Sequence, residues 1–403
     1  MSGGRDEVVK LYERHVSAMA ARSGLPVETR SEGAWVHDDR GRALLDCGGY
    51  GVFLLGHRHP AVVAAVHAQL DRHPLATRTL LSAELAAASA RLAGIAPPGL
   101  DHVYFACSGA EAVETALKLA RAAGRRRVVA MSGGFHGKTL GALSVTDRPA
   151  FQRPFRPLLP DVSTVPYGDA AALGAELAGT PGRACVIVEP VQGEGGVRVP
   201  PDGYLAAVAE ECRRHDAFLV VDEIQTGLGR LGGTWWGCDR EGVVPDVLLA
   251  GKSLGGGCVP VSAVIGTDRA FRPIDRSHRL HSSTFGGAPL AMAAVTATIG
   301  AIERDGLLAR AEATGARLLA GLRAAAPPGG PVREVRGRGL LIGVELAAPD
   351  RAAALTAALL DRNVITSPPL GADTVVRLCP PAVWDEPEIG FLLGAFRDAV
   401  AAL

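Results

Sequence analysis

Lysine residues are the first candidates for chemistry in this sequence, because a buried lysine amine with a lowered pKa can form a Schiff base. The chain contains four lysines, and three of them have ordinary explanations. Lys10 falls in a predicted N-terminal helix and Lys138 in a loop, whereas Lys118 follows Glu114 by four residues, the spacing of a solvent-exposed helical ion pair. Lys252 directly follows an apolar run, DVLLAG, and precedes a glycine-rich turn, SLGGG. A surface lysine would also fit this position, so its interpretation depends on the residues around it.

A carboxylate ends a second apolar run, FLVVD, at Asp222. A carboxylate at the end of a buried strand is partly desolvated and needs a cationic partner. The pyridinium nitrogen of pyridoxal phosphate (PLP) is such a partner, because a fixed carboxylate keeps it protonated and the ring can then accept electrons. Asp222 is equally compatible with a helix N-cap or an ordinary loop position. Lys252 and Asp222 together indicate PLP chemistry more strongly than either does alone.

The tripeptide Ser108-Gly109-Ala110 joins a predicted strand to a predicted helix. A hydroxyl and successive backbone N–H groups at a helix N-terminus can hold a phosphate. A plain capping turn would have the same sequence. Gly255-Gly256-Gly257 matches no phosphate-binding motif and is interpreted as a tight turn.

Phe135 and His136 could present an aromatic face to a flat heteroaromatic ring, although these two residues alone are better explained as a core aromatic beside a loop histidine. His57 and His59, in GHRHP, have no cysteine or carboxylate partner at a metal-ligand spacing. No metal site is predicted.

The elements that must position these residues are short apolar runs between about residues 100 and 270: HVYFAC, RRVVAM, ACVIVEP, AFLVVDE, DVLLAG and VSAVIG. Helical or loop stretches separate them, a pattern typical of an α/β fold with a mostly parallel sheet. In such sheets ligands bind beyond the carboxyl ends of the strands. The polar residues that follow these runs are therefore the predicted site.

A chain of 403 residues exceeds the size at which one core usually stops growing, so two domains are expected. A hairpin is predicted in AWVHDDRGRALLDC, helices near 288–325, and strands in GLLIGVEL and VVRLCPP. The predicted division is an N-terminal segment, 1–60, that packs with a small α/β domain, 301–403, and a large domain, 61–300.

Composition bears on partners and location. Lys+Arg and Asp+Glu both total 42, so no net charge favours nucleic acid or an anionic membrane as a partner. The seven cysteines are scattered and never spaced as CxxC, which favours a reducing compartment. Without an apolar N-terminal segment or a long apolar run, a cytoplasmic location is expected.

Several segments, taken in order, resemble the signatures of the class III PLP-dependent aminotransferases, the acetylornithine, ornithine, GABA and putrescine type. They are SGAEAVETALKLAR, GGFHGKTLGALSVT, EPVQGEGGV, DEIQTGLGRLG, PDVLLAGKSLGGG and HSSTFGGAPLAMAA. The resemblance runs from about residue 30 to the C-terminus. It implies fold type I, with a seven-stranded type of sheet in the large, PLP-binding domain, and a homodimer with shared active sites.

The resemblance also implies roles around the cofactor ring. Lys252 would form the Schiff base, and Asp222 would pair with the pyridine nitrogen. Gln225 would contact the ring hydroxyl, while Phe135 would stack on the ring with His136 adjacent.

On the phosphate side, the resemblance implies that Ser108, Gly109 and Ala110 hold the phosphate group. Thr284, in HSSTFGG, would reach the phosphate bound in the neighbouring subunit. Glu189 would support the ring side of the site.

The same resemblance implies substrate-binding residues, and these do not all indicate the same substrate. Arg377 lies where the family carries an arginine for the α-carboxylate, and Glu194 matches a carboxylate that covers this arginine when the amine substrate has no carboxylate there. Lys138 replaces the arginine of acetylornithine and ornithine enzymes, as in a putrescine-like branch. Tyr50, conversely, falls where ornithine-type enzymes have a substrate-contacting tyrosine. The predicted reaction moves an amino group between an ω-amine or amino acid and glutamate or 2-oxoglutarate. The first substrate is left open among ornithine, acetylornithine, a diamine and a biosynthetic aldehyde or ketone.

Two alternatives accompany this prediction. Some class III relatives are aminomutases, racemases or decarboxylases, which a stoichiometric requirement for an amino acceptor would separate from transaminases. A ligand-sensing regulator with this fold would need a DNA-binding module, and the sequence has too few residues before the first hairpin for one.

Overall fold

The computed structural model describes residues 26–277 and 279–403, together with 7, 8, 10 and 11. The predicted helix around Lys10 lies largely outside the described residues. None of the described helices is both long enough and apolar enough to cross a lipid bilayer.

The described chain forms three sheets and a set of helices that cover them. The strands are β1 (Glu28–Glu32), β2 (Trp35–Asp38), β3 (Ala43–Asp46), β4 (His102–Ala106), β5 (Arg127–Met131), β6 (Val162–Val165), β7 (Ala184–Val188), β8 (Phe218–Asp222), β9 (Val247–Ala250), β10 (Ser262–Gly266), β11 (Val332–Arg338), β12 (Leu341–Leu346), β13 (Val364–Ile365) and β14 (Val375–Leu378). The α-helices are α1 (Pro60–Arg72), α2 (Ala83–Ala93), α3 (Gly109–Ala122), α4 (Leu140–Val145), α5 (Pro149–Gln152), α6 (Ala170–Ala178), α7 (Tyr204–Arg214), α8 (Asp268–Asp275), α9 (Pro289–Arg304), α10 (Leu307–Ala324), α11 (Pro349–Asp361) and α12 (Glu386–Ala401).

The large sheet has seven strands in the order β4-β10-β9-β8-β7-β5-β6. The neighbours from β9 through β6 pair in parallel, and β10 is antiparallel to both β9 and β4. Strands β7, β8 and β10 are buried along their whole length, because helices cover both faces of the sheet. The predicted α/β class and mostly parallel sheet are confirmed, and all six apolar runs are strands of it.

The sequence prediction missed the edge strand β6. Its sequence, VSTV, is short and only its last residue is buried, so it lacks the continuous apolar run of its neighbours. An edge strand pairs on one side only and needs less apolar character.

Two smaller sheets contain the chain ends. One has the order β1-β2-β3-β13, and the other β11-β12-β14. The predicted hairpin is β2 and β3, with Trp35 opposite Leu45. Strand β3 also pairs in parallel with β13, so the N-terminal segment shares a sheet with a strand from the C-terminal part. The domain boundaries at 60 and 300 stay a prediction.

Strand β11, VREVRGR, is also missing from the sequence prediction, as are β1 and the two-residue β13. Four of its seven residues are charged, and Arg336 in it is held by Glu334 and Glu345. The predicted strands GLLIGVEL and VVRLCPP are its apolar neighbours, β12 and β14.

Six strands of the large sheet direct their carboxyl ends to one edge, because β4 has the same orientation as β5, β6, β7, β8 and β9. The polar residues predicted from the sequence follow these strand ends. The fold therefore brings together residues that are far apart in the chain.

Candidate active site

A cavity of about 220 Å³ opens at this edge. Nine of the residues singled out in the sequence line it: Gly109, Ala110, Phe135, His136, Glu189, Glu194, Asp222, Gln225 and Lys252. Gly137 and Ile224 complete the lining. Ser108 precedes the cavity as the N-cap of α3.

Lys252 is the first residue of a short 3₁₀ helix, Lys252–Gly255, immediately beyond β9. Burial lowers the pKa of its amine, although the nearby carboxylates of Glu194 and Asp222 act in the opposite direction. Within the described part of the chain, no acceptor is bonded to its Nζ. An enclosed amine with a lowered pKa is suited to nucleophilic chemistry.

Asp222 is joined to His136 by a hydrogen bond of 2.7 Å between Oδ2 and Nδ1. Both side chains are buried, and Asp222 Oδ1 accepts a 3.1 Å hydrogen bond from the backbone N–H of Ile224. Burial disfavours protonation of His136, but the hydrogen bond and the charge of Asp222 outweigh it and raise the histidine pKa. The sequence placed His136 only beside Phe135, whereas the structure shows that it orients the key carboxylate.

Glu189 is fully enclosed and accepts a 3.0 Å hydrogen bond from the backbone N–H of Phe135. Burial raises its pKa to about 7, with the charge of Asp222 adding to the shift and His136 opposing it. Glu189 thereby fixes the backbone of Phe135, whose ring lines the cavity.

Gln225 donates from Nε2 to the carbonyl of Tyr50 at 3.1 Å. Its Oε1 is buried and has no partner among the described residues. A Cβ on Gly193 would lie 1.4 Å from this oxygen, so only glycine at 193 allows Gln225 its position.

The residues predicted to hold a phosphate lie at the start of α3. The Ser108 hydroxyl caps the helix by accepting from the backbone N–H of Glu111 at 3.3 Å. Gly109 and Ala110 follow in the first turn, where backbone N–H groups lack intrahelical acceptors. Gly109 packs closely, since a Cβ there would lie 3.0 Å from Ile224 Cδ1.

Glu194, which lines the cavity, forms a buried ion pair with Arg377, with 2.5 Å between Oε1 and Nη1. The other carboxylate oxygen of Glu194 accepts from the backbone N–H of Leu370 at 2.8 Å. Although burial opposes both charges, Arg377 lowers the pKa of Glu194, and Cys379 and Glu194 raise that of Arg377. Both groups are charged and each neutralises the other.

The remaining predicted residues lie outside the cavity lining. Tyr50 is about half exposed, and its ring centre lies 5.8 Å from Arg377 Cζ. Lys138 is exposed, with Nζ 4.5 Å from the ring centre of Phe151. Thr284 is exposed and lines a separate cavity. In the single chain, Tyr50 approaches the site, while Lys138 and Thr284 do not.

The predicted ion pair between Lys118 and Glu114 is wrong. Lys118 donates to the carbonyl of Leu280 at 2.9 Å, and Glu114 accepts from the backbone N–H of Gly141 at 2.8 Å. Both side chains bind chain segments distant in sequence, which i,i+4 spacing does not reveal.

Sequence reasoning missed two cavity residues, Gly137 and Ile224. Ile224 lies between Asp222 and Gln225, so its position after a strand end was a signal for it. A Cβ on Gly137 would lie 2.8 Å from Ala110 Cβ, which shows how closely the two loops approach.

These features fit PLP. Asp222 suits a cationic ring nitrogen, the N-terminus of α3 suits a phosphate, and Lys252 suits an aldehyde. Phe135 and Ile224 supply apolar surfaces for a flat ring, and the free Gln225 Oε1 needs a donor. The fold and site therefore define a PLP-dependent enzyme of fold type I.

The comparisons with known proteins identify the family. The family model described as "Aminotransferase class-III" matches residues 17–400, and the chain belongs to this family of PLP-dependent transaminases. It is 40% identical over 388 residues to a putrescine aminotransferase of Pectobacterium atrosepticum, covering 94% of this chain and 83% of the relative.

Solved structures agree with this assignment. The ornithine aminotransferase of Toxoplasma gondii, which holds PLP at partial occupancy, has a TM-score of 0.92 at 32% identity, covering 99% of this chain and 95% of that one. The acetylornithine aminotransferase of Elizabethkingia anophelis has a TM-score of 0.86 at 30% identity, covering 99% of each chain. These relatives are all aminotransferases, so the alternative reaction classes are not favoured.

Proposed function

We propose that this transaminase moves an amino group between a terminal amine, such as a diamine or the side chain of ornithine, and 2-oxoglutarate. The observation that carries the proposal is the buried ion pair between Arg377 and Glu194, a residue that lines the same cavity as Lys252. The similarity to putrescine, ornithine and acetylornithine aminotransferases supports the same classes of amine.

Lys252 is the proposed attachment and proton-transfer residue. Lys252 lines the cavity, so its amine can reach a cofactor bound there. Because burial lowers the pKa of this amine, more of it is in the reactive neutral form. With the cofactor bound, Nζ would be the base that takes a proton from the substrate carbon bearing the amino nitrogen and delivers it to the cofactor carbon on the other side of that nitrogen.

Asp222 is the proposed partner of the cofactor's ring nitrogen. Bound PLP supplies an electron sink for the substrate carbon, and a fixed anion beside the ring nitrogen keeps that sink strong. His136 holds the carboxylate in place from one side, and the backbone N–H of Ile224 holds it from the other.

The Glu194–Arg377 pair allows one cavity to accept two kinds of substrate. When the amine has no carboxylate at this end, the closed pair presents a neutralised wall. When glutamate or 2-oxoglutarate enters, Glu194 moves aside and Arg377 receives the substrate carboxylate in a bidentate contact. Removing one partner of a buried pair leaves the other uncompensated, at a cost of about 3–5 kcal/mol.

Substitutions of this pair are expected to act asymmetrically on the two half-reactions. Glu194→Ala leaves Arg377 permanently available, so the glutamate half-reaction should be retained or improved while that of a diamine falls by roughly tenfold or more. Arg377→Ala should lower the glutamate half-reaction most. Stopped-flow absorbance of the bound cofactor measures each half-reaction separately.

Glu334→Ala is the control, because it breaks the 2.7 Å ion pair with Arg336 on the small sheet without touching the cavity. It should leave both half-reactions unchanged. Equal losses on both sides in the Glu194 and Arg377 variants would show that their ion pair is only structural.

We further propose that the enzyme is a homodimer with shared active sites. Leu80, Leu81 and Phe285 are exposed by 78%, 104% and 58%, unusually high values for large apolar side chains. With Thr284 they surround a second cavity of about 550 Å³. A second copy of the chain would cover this surface and receive Thr284 at its own phosphate cup.

Thr284→Val is expected to weaken PLP retention by roughly tenfold, since a lost hydrogen bond to a charged group costs about 1.5–3 kcal/mol. PLP release is followed by absorbance after dilution, with the dimer checked by sedimentation. Thr356→Val, which removes a hydroxyl from α11, is the matched control. A monomer with full activity, or unchanged PLP retention in Thr284→Val, would contradict the shared site.

The cytoplasmic location predicted from cysteine usage remains part of this proposal. The seven cysteines are unpaired in the structure.

A further inference from the structure

Arg230 is a completely buried arginine whose guanidinium donates to three backbone carbonyls. Nη1 donates to Pro380 at 2.5 Å and to Leu340 at 3.3 Å, and Nη2 donates to Gly51 at 3.2 Å. Among the described residues it has no carboxylate within ion-pair distance, and its Nε has no hydrogen-bond partner. Burial lowers its pKa. Because an uncompensated buried cation is costly, its position calls for a specific role.

The first segment that Arg230 contacts is an unusual turn that contains Gly51. Gly49, Tyr50 and Gly51 have consecutive φ angles of +57°, +52° and +80°. Tyrosine seldom adopts a positive φ, so this conformation must be stabilised by its surroundings. Two further donors act on the same turn: Ser253 Oγ bonds the Gly51 carbonyl at 3.0 Å, and Gln225 Nε2 bonds that of Tyr50 at 3.1 Å.

The second segment that Arg230 contacts consists of residues next to strands β12 and β14. Leu340 directly precedes β12, and Pro380 follows β14, the strand that carries Arg377. The guanidinium of Arg230 therefore links the Tyr50 turn to the strand of Arg377. These are the two elements that bring the Tyr50 ring and the Arg377 guanidinium to 5.8 Å.

We propose that Arg230 is a positioning residue that sets the spacing between Tyr50 and Arg377, and through it the binding of the substrate carboxylate. The inference rests on the proposed role of Arg377 in the function above. A planar guanidinium can donate to three carbonyls in fixed directions, whereas a lysine ammonium on its single flexible stem cannot reproduce that geometry.

The test compares Arg230→Lys and Ser253→Ala with wild-type holoenzyme. For the 2-oxoglutarate half-reaction, Arg230→Lys is expected to raise the apparent dissociation constant by roughly tenfold or more, while the maximal rate changes by less than about threefold. Ser253→Ala removes one hydrogen bond, from an uncharged donor, to the Gly51 carbonyl. It should raise the apparent dissociation constant of 2-oxoglutarate by roughly threefold, again with little change in the maximal rate. Absorbance and retention of bound PLP should stay close to wild type in both.

Arg310→Ala provides the matched control. Arg310 also bonds three carbonyls, those of Ala382, Val383 and Trp384, but it does not contact the Tyr50 turn. It should leave the dissociation constant of 2-oxoglutarate unchanged. This contrast separates a positioning role from a general effect of removing a carbonyl-binding arginine.

Two results would overturn the inference: substrate constants that stay at wild-type values, or parallel losses of maximal rate and PLP in both half-reactions. If Arg230→Lys does not fold, Ser253→Ala alone decides between these outcomes. A wild-type enzyme that does not react with 2-oxoglutarate would contradict the proposed acceptor instead. In that case the variants and the wild type are compared in the half-reaction with pyruvate, because the pyruvate carboxylate would also lie against Tyr50 and Arg377.

Discussion

Lys252→Ala is expected to lower multiple-turnover transamination by at least about 10³-fold, because attachment and proton transfer both depend on one amine. The three other lysines described in the chain cannot replace it: Lys118 is bonded to the Leu280 carbonyl, the amine of Lys138 lies over the Phe151 ring, and Lys10 is exposed. The variant should still bind PLP through the remaining residues of the cavity, without a covalent bond. Steady-state rates and mass measurement after borohydride reduction test both expectations.

Lys10→Ala is the control for this experiment, since it removes an exposed lysine that does not line the cavity. Peptide mapping of the reduced wild type should find the adduct on Lys252 and nowhere else. An adduct on Lys10, Lys118 or Lys138 would refute the assignment.

The second large effect is expected for Asp222→Asn. Asparagine has nearly the same shape and can still bond His136, but it carries no negative charge to hold a proton on the ring nitrogen. PLP should remain bound, while removal of the substrate's Cα proton slows by about 10³-fold or more. Stopped-flow half-reaction rates and exchange of the Cα hydrogen with deuterated solvent measure the step directly.

Asp246→Asn is a matched control from the same sheet. Asp246 is a largely buried carboxylate that precedes β9, at the edge of the sheet opposite the cavity, and accepts from the Leu219 backbone N–H at 2.9 Å. Its loss should affect stability and leave proton removal unchanged. Half-reaction rates of Asp222→Asn within a few-fold of wild type would disprove the role given to Asp222.

Much of the site was predictable because the fold places it by a simple rule. Lys252, Asp222 and Glu189 each follow a buried strand, and parallel strands bring their carboxyl ends to one edge. Apolar runs identify such strands well. Strands β1, β6 and β11 were missed because they are partly exposed or charged, and β13 because it has only two residues. Their pairing depends on neighbours that local sequence does not reveal.

Contacts between side chains distant in sequence were the part that could not be predicted. His136 and Asp222 are 86 positions apart, and Arg230 and Gly51 are 179 apart. No local periodicity records such pairings. The ion pair predicted for Lys118 is wrong for the same reason. Its spacing from Glu114 is typical of a helical ion pair, but Lys118 instead makes a tertiary contact with Leu280.

Lys252 has one further property with a consequence for how this protein can change over time. Its φ is +46°, a conformation that glycine adopts readily and lysine does not. The backbone at position 252 thus disfavours the residue that the chemistry requires. A lineage released from selection for transamination would gain stability by replacing Lys252 with glycine. In such a lineage, the substitution that removes activity would also increase the stability of the fold.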